Sequence, residues 1–221
     1  MNTESEIAKS IHSAGVIAVL IVDDATHAVP LARALLEGGV TIMELTLRTP
    51  EALECLRRIR AEVPEMTAGV GTILSPDQVD EVVEAGAAFG VSPGTNPGVI
   101  RRAAERDLPF SPGVATPSDI EQALALNCRL LKLFPAEASG GLEYLKSMAA
   151  PYLHLGVRFI PLGGIHMRNL GAWLCNPLIA AVGGSWLAPR EDIREEQWDR
   201  IRTHAREAAQ LVANIRQTDS E

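Results

Sequence analysis

The sequence predicts a closed (β/α)8 barrel carrying one extra N-terminal helix, and three observations lead there. Short, continuously apolar runs alternate along the whole chain with longer segments of helical periodicity. Runs of that kind read as parallel strands covered on both faces by helices. There are eight, starting roughly every 20 to 27 residues, which suits a closed barrel better than an open sheet. The main structural rival, a doubly wound sheet, wants a glycine-rich turn after its first strand, and Val22-Asp23-Asp24-Ala25 has no glycine.

In order, the chain opens with a short helix from about Glu4 to His12, Ile7 and Ile11 sharing a face. Val16 to Val22 is the first strand. Asp23-Asp24 caps the next helix, about Ala25 to Glu37, which Gly38-Gly39 ends. Val40 to Leu45 is a strand and Pro50 to Glu62 a helix; Thr67 to Val70 is a strand and Pro76 to Ala85 a helix. Strands around Phe89, Phe110, Leu131, Phe159 and Ile179 follow, separated by helices starting near Pro97, Pro117, Leu142 and Met167. A last helix, about Glu195 to Ile215, carries Trp198, Ile201, Ala205 and Ala208 on one stripe. With no Ser/Gly-rich linker, residues 1–221 read as one domain, with 1–13 the opening helical segment and Gln217–Glu221 a frayed tail.

Composition narrows the function. Aromatic residues make up 4% of the chain, so Leu, Val, Ile and Ala must fill the core. A net charge of −8 with no basic cluster argues against nucleic acid, though a few arginines and backbone amides suffice for a small anion. No apolar run approaches the roughly 18 residues of a membrane span, and the acidic N-terminus is unlike a signal peptide. A soluble, cytoplasmic protein is expected. Cys55, Cys128 and Cys175 fit neither a disulfide framework nor a metal motif and read as buried thiols. The five histidines lack metal-ligand spacing, so no metal is expected.

Lys132 is the most informative residue. Only Lys9, Lys132 and Lys146 accompany seventeen arginines, yet Lys132 sits in the apolar run Leu130-Leu131-Lys132-Leu133-Phe134. A lysine can become a neutral amine and attack a carbonyl, which a guanidinium cannot do. The bland reading is a strand-end lysine that snorkels to water. Barrel active sites lie where strands end and the following loops begin. The second strand ends Ile42-Met43-Glu44-Leu45-Thr46-Leu47-Arg48, and alternation puts Val40, Ile42, Glu44 and Thr46 on one face with Arg48 in parity. A carboxylate there is either used or paired with Arg48 to close the barrel mouth. The third strand ends Gly69-Val70-Gly71-Thr72, whose glycines allow a close approach and whose hydroxyl can donate to a carboxylate. Ser92-Pro93-Gly94 and Ser111-Pro112-Gly113 form pocket walls or rigid turns. Gly163-Gly164 and Gly183-Gly184 end the seventh and eighth strands, where barrels hold phosphate on backbone amides. His166 caps the following helix or touches an anion.

In combination and in order, Glu44-x-x-x-Arg48-Thr49, Gly71-Thr72, Ser92-Pro93-Gly94, Lys132-Leu133-Phe134-Pro135-Ala136-Glu137, Gly163-Gly164-Ile165 and Gly183-Gly184-Ser185-Trp186 resemble the bacterial 2-keto-3-deoxy-6-phosphogluconate (KDPG) aldolases, also described as 4-hydroxy-2-oxoglutarate (KHG) aldolases. The resemblance spans about Val16 to Leu187. It implies a cofactor- and metal-free class I aldolase, usually a homotrimer, acting on a phosphorylated 2-keto-3-deoxy sugar acid and releasing pyruvate. It also implies that Lys132 forms the Schiff base and Glu44 transfers protons. Arg48 and Thr72 would hold the pyruvate carboxylate, and Pro93 and Phe134 would wall the pyruvyl unit. Gly163, Gly164, Gly184 and Ser185 would hold the phosphate. The chain departs from the pattern at Leu162, where Thr or Val is usual, and at His166, where a small polar residue is more usual. Leu162 keeps the galactonate epimer open as substrate. A phosphate-binding barrel isomerase and a non-catalytic sugar-phosphate sensor are the rivals of other classes.

Overall fold

The computed structural model describes residues 6–218. Its strands are β1 (Val16–Leu20), β2 (Ile42–Thr46), β3 (Thr67–Gly71), β4 (Gly90–Val91), β5 (Phe110–Ser111), β6 (Gly113–Val114), β7 (Leu130–Leu133), β8 (Arg158–Pro161) and β9 (Val182–Gly184). Every pairing is parallel. One sheet runs β5-β4-β3-β2-β1-β9 and the other β6-β7-β8. Pro112 divides β5 from β6, so these are two halves of one stave, which gives eight staves in all. The gap between β8 and β9 is bridged at Phe159 and Ile179, and the barrel closes. Its helices are α1 (Glu6–Ala14), α2 (Ala28–Glu37), α3 (Ala52–Glu62), α4 (Pro76–Glu84), α5 (Pro97–Glu105), α6 (Pro117–Ala125), α7 (Gly141–Ala149), α8 (Met167–Leu174), α9 (Arg190–Arg194) and α10 (Trp198–Thr218).

Local chemistry sets the helix starts. Asp24 Oδ1 accepts from the Thr26 N–H at 2.8 Å and caps the turn entering α2. Ser75 with Gln78 and Thr116 with Asp119 form capping boxes before α4 and α6, each followed by proline at the first helical position. The strands read as uninterrupted apolar runs because both faces are buried. In β1, Val16, Ala18 and Leu20 face the helices, while Ile17 and Val19 face inward. In β7, Leu131 and Leu133 face outward and Leu130 inward.

Several boundaries differ from expectation. The part of the N-terminal segment before Glu6 lies outside the described residues, as do 219–221 of the tail. Gln217 and Thr218 are the last described residues and close α10. The last helix is α10, which begins at Trp198 rather than near Glu195; the short α9, not expected from the sequence, precedes it across a turn in which Glu196 adopts φ 54°. Ile179 makes one bridge only, and the eighth stave proper begins at Val182. Val40 precedes β2 and packs in the outer core, off the face that carries Ile42 and Glu44.

Candidate active site

Strand alternation brings Glu44 and Lys132 into the same end of the barrel. Both are buried, and Lys132 Nζ lies 3.2 Å from Glu44 Oε1 across 88 positions of sequence. The alternatives left open by the sequence are thereby decided: the lysine does not snorkel to water, and the carboxylate pairs with Lys132 rather than with Arg48. Room for the carboxylate comes from the neighbouring strand. A methyl group on Gly71 would overlap Glu44 Oε1, and one on Gly69 would overlap the Phe89 ring. Each glycine is therefore required by a close approach, the first at the reactive end and the second deeper in the interior.

Around the pair, Phe134 is 38% exposed and its ring centroid lies 5.6 Å from Lys132 Nζ, within cation–π range. Pro93 packs on Gly113, the strand partner of Lys132, and a methyl group on Gly113 would overlap the Pro93 backbone. Thr72 follows Gly71 with φ 63°, an unusual backbone state for a β-branched residue that carries strain. Thr46 Oγ1 donates to the Leu20 carbonyl at 2.9 Å and ties the ends of β1 and β2 together. Arg48 behaves differently from its predicted parity. The chain leaves β2 after Thr46, so Arg48 lies exposed on the rim and makes no side-chain hydrogen bond among the described residues.

The two glycine pairs are distinct in kind. Gly163 and Gly164 take φ 97° and 81°, which require glycine, and they form a turn just before α8. Gly183 and Gly184 take no positive φ. They are small because a methyl group on Gly183 would come within 2.6 Å of Leu162 Cγ and one on Gly184 would overlap the Trp186 ring. Ser185 is exposed at the rim beside them. His166 occupies the N-cap position of α8, but the turn is closed by Asn169 Oδ1, which accepts from the His166 N–H at 2.7 Å.

Glu137 has a role that the sequence did not reveal. Its Oε1 accepts from Trp173 Nε1 at 2.8 Å and from Asn169 Nδ2 at 3.1 Å. A carboxylate two residues after Pro135 was visible in the chain, but its partners lie 32 and 36 positions away, beyond any local pattern. The thiols also depart in part from expectation. Burial pushes the Cys55 thiol up to about 12 and Cys128 to about 11, whereas Cys175 is exposed.

A cavity of about 540 Å³ lies at the opposite end of the barrel, lined by residues that include His12, Arg158 and Arg216. There His12 pairs with the Ala180 carbonyl, Arg158 donates to that of Pro177, and Arg216 to those of Ser13 and Ala180. These contacts brace loops, so the candidate site is the Lys132 end, where strands finish and a buried amine meets a carboxylate. Among the described residues, no cluster of three His, Cys, Asp or Glu side chains could hold a metal. No described helix is long and apolar enough to cross a membrane.

A closed parallel barrel with a buried lysine–carboxylate pair at its C-terminal mouth has the makings of a Schiff-base enzyme site. Comparison with known proteins gives the family. The chain matches the description "KDPG and KHG aldolase" over residues 7–204 and belongs to that aldolase family. It is 42% identical to the KHG/KDPG aldolase of Escherichia coli K12 over 204 residues, 92% of this chain and 95% of that one. A Legionella pneumophila KDPG aldolase, solved with pyruvate captured as a covalent carbinolamine, superposes with a TM-score of 0.86 at 35% identity, covering 93% of this chain and 98% of that one. A Zymomonas mobilis 2-keto-3-deoxy-6-phosphogluconate aldolase solved with 3-phosphoglycerate gives 0.83 at 40% identity, over 91% and 94%.

Proposed function

We propose that this chain, read as one domain, is a class I aldolase that cleaves 2-keto-3-deoxy-6-phosphogluconate to pyruvate and glyceraldehyde 3-phosphate. On the same reading it also cleaves 4-hydroxy-2-oxoglutarate to pyruvate and glyoxylate, and it works in the cytoplasm as a homotrimer without metal or cofactor. The observation that carries this reading is the buried contact of 3.2 Å between Lys132 Nζ and Glu44 Oε1. The carbinolamine of the Legionella protein and the phosphoglycerate of the Zymomonas protein support it by likeness.

In this mechanism the Lys132 ammonium first passes a proton to Glu44. The neutral amine adds to the C2 carbonyl, and Glu44 returns its proton as the carbinolamine loses water to give an iminium ion. The Glu44 carboxylate then takes the C4 hydroxyl proton. The C3–C4 bonding pair moves into the C2–C3 bond as the iminium nitrogen accepts the π pair, and the aldehyde leaves. Glu44 gives that proton to C3 of the enamine, and water hydrolyses the pyruvyl imine to restore the ion pair. Arg48 and Thr72 hold the substrate carboxylate. Arg48 is exposed and uncommitted, free to fold over a bound anion in the fork geometry that suits a carboxylate. Pro93 and Phe134 confine the pyruvyl unit. The amides of Gly163, Gly164 and Gly184 with the Ser185 hydroxyl hold the phosphate and orient the scissile bond.

The galactonate epimer is the second reading, favoured by Leu162, which is buried over Gly183 and has no hydroxyl to offer a substrate oxygen. A barrel isomerase would leave the Lys132–Glu44 pair without a task. Borohydride reduction with pyruvate, followed by peptide mass spectrometry, tests the mechanism: a pyruvyl adduct on Lys132 is expected, and its absence in folded protein would sink it. Initial rates with the two epimers decide the substrate, and light scattering at three times the chain mass is expected for the trimer.

A further inference from the structure

The turn at Gly163-Gly164 is clasped to the loop that follows the lysine strand. Ala136 N–H donates to the Leu162 carbonyl at 2.7 Å and Glu137 N–H to that of Gly163 at 3.0 Å. A methyl group on Gly164 would stand 2.6 Å from Glu137 Cβ, so the two backbones meet with nothing between them. The Glu137 carboxylate then reaches past the turn to α8. Its Oε1 receives both Trp173 Nε1 and Asn169 Nδ2, while Asn169 Nδ2 also lies 3.3 Å from the Gly164 carbonyl and Asn169 Oδ1 takes the His166 N–H. Trp173 is 2% exposed and fixes one end of this chain of bonds in the core.

We propose that Glu137 is a positioning residue that sets the distance and orientation of the Gly163–Gly164 turn relative to Lys132, five residues before it. The inference rests on the reading of that turn as the site of the substrate phosphate. A turn at positive φ has several competing backbone states, and the amides of Gly163 and Gly164 serve an anion only in one of them. Glu137 holds this one by tying the turn, through Asn169, to the buried Trp173. The residue touches no reacting atom. It acts on the separation between the imine carbon and the far anion, which is the quantity that discriminates a phosphorylated six-carbon acid from a short one. A single oxygen receives both donors, so an amide oxygen at the same place is sufficient.

The test compares Glu137→Ala and Glu137→Gln with the parent enzyme on 2-keto-3-deoxy-6-phosphogluconate and on unphosphorylated 4-hydroxy-2-oxoglutarate, well below the melting temperature of each variant. Glu137→Ala is expected to raise KM for the phosphorylated substrate roughly 10- to 100-fold, the effect of displacing a positioning group by up to about 1 Å. Its kcat/KM on the short substrate and its borohydride-trapped pyruvyl adduct should stay within about twofold of the parent. Glu137→Gln should restore KM. Equal losses on both substrates, an unchanged KM in Glu137→Ala, or failure of Glu137→Gln to rescue would each overturn the proposal. Ser185→Ala separates the two readings. If it discriminates between the substrates and Glu137→Ala does not, the phosphate site stands and the positioning role falls. If neither discriminates, both fall.

Discussion

The two ends of the barrel interior use the same strands for opposite purposes. Toward the strand starts, Ile17, Ile42 and Phe89 pack in one cluster, with Ile11 of α1 as a plug beneath them. Toward the strand ends the inward positions turn polar: Glu44, Thr46 and Lys132, with Ser92 and Ser111 buried nearby. Ile42 and Glu44 stand two residues apart on one strand, as do Leu130 and Lys132 on another. The apolar end is explained by burial alone, since each such side chain contributes about 1.5–3 kcal/mol. The charged end is not. A buried ion pair is often no more stabilising than apolar residues of its size, and removing one partner is strongly destabilising. Burial alone therefore does not account for the pair, and the chemistry proposed for it does.

Breaking that contrast gives the largest effect. Lys132→Met should lower turnover by about 10⁴-fold or more and, by stranding Glu44, cost about 3–5 kcal/mol in urea unfolding at neutral pH. Adding Glu44→Leu should recover that stability without recovering activity. A double variant as unstable as the single one would mean that the pair is structural. Ile42→Ala probes the other end. It should lose about 2–5 kcal/mol of stability while each folded molecule retains its rate of imine formation with pyruvate.

Gly71→Ala sharpens the comparison between room and backbone. Its φ is not positive, so the added methyl acts only by displacing the Glu44 carboxylate. A drop of roughly 100-fold in kcat is expected, with unfolding little changed by comparison. At the rim, Ser185→Ala should raise KM about 10-fold for the phosphorylated substrate and leave the unphosphorylated one unaffected. Equal losses on both would remove Ser185 from the phosphate site.

The smallest effect concerns pH. Hydrogen bonds from Arg190 and Arg194 hold the Asp23 carboxyl well below the usual carboxylate range. The folded state therefore binds the proton more weakly than the unfolded chain, and the contribution is complete above about pH 4 and fades as pH falls below it. Asp23→Asn should lower stability at pH 7 by less than Ile42→Ala does, with the difference from the parent shrinking in acid. A gap that widens in acid would refute the sign.

Much of this was legible in the chain, for reasons visible at particular residues. Apolar runs at barrel spacing give the staves because both strand faces are buried. Asp24, Pro76 and Pro117 announce helix starts because capping and the placing of proline in a first turn are local chemistry. Lys132 and Glu44 stand out singly because ionisable groups are rarely left in apolar strands. The division of the fifth stave into β5 and β6 is not legible, since a two-residue strand is defined by its neighbours' hydrogen bonds rather than by its own sequence.

What the sequence determined by itself was therefore the periodicity, the caps and the residue types at the strand ends, all set within a few residues of chain. The tertiary structure alone decided who meets whom. Glu44 chose Lys132 over the nearer Arg48, because β2 ends at Thr46 and strand alternation points residues 88 positions apart into one interior. Gly71 proved to be room for a carboxylate, Gly183 and Gly184 room for Leu162 and Trp186, and Glu137 a tie to Trp173. Contacts of that range depend on barrel closure, which brings every strand end to one mouth, and no local pattern records them.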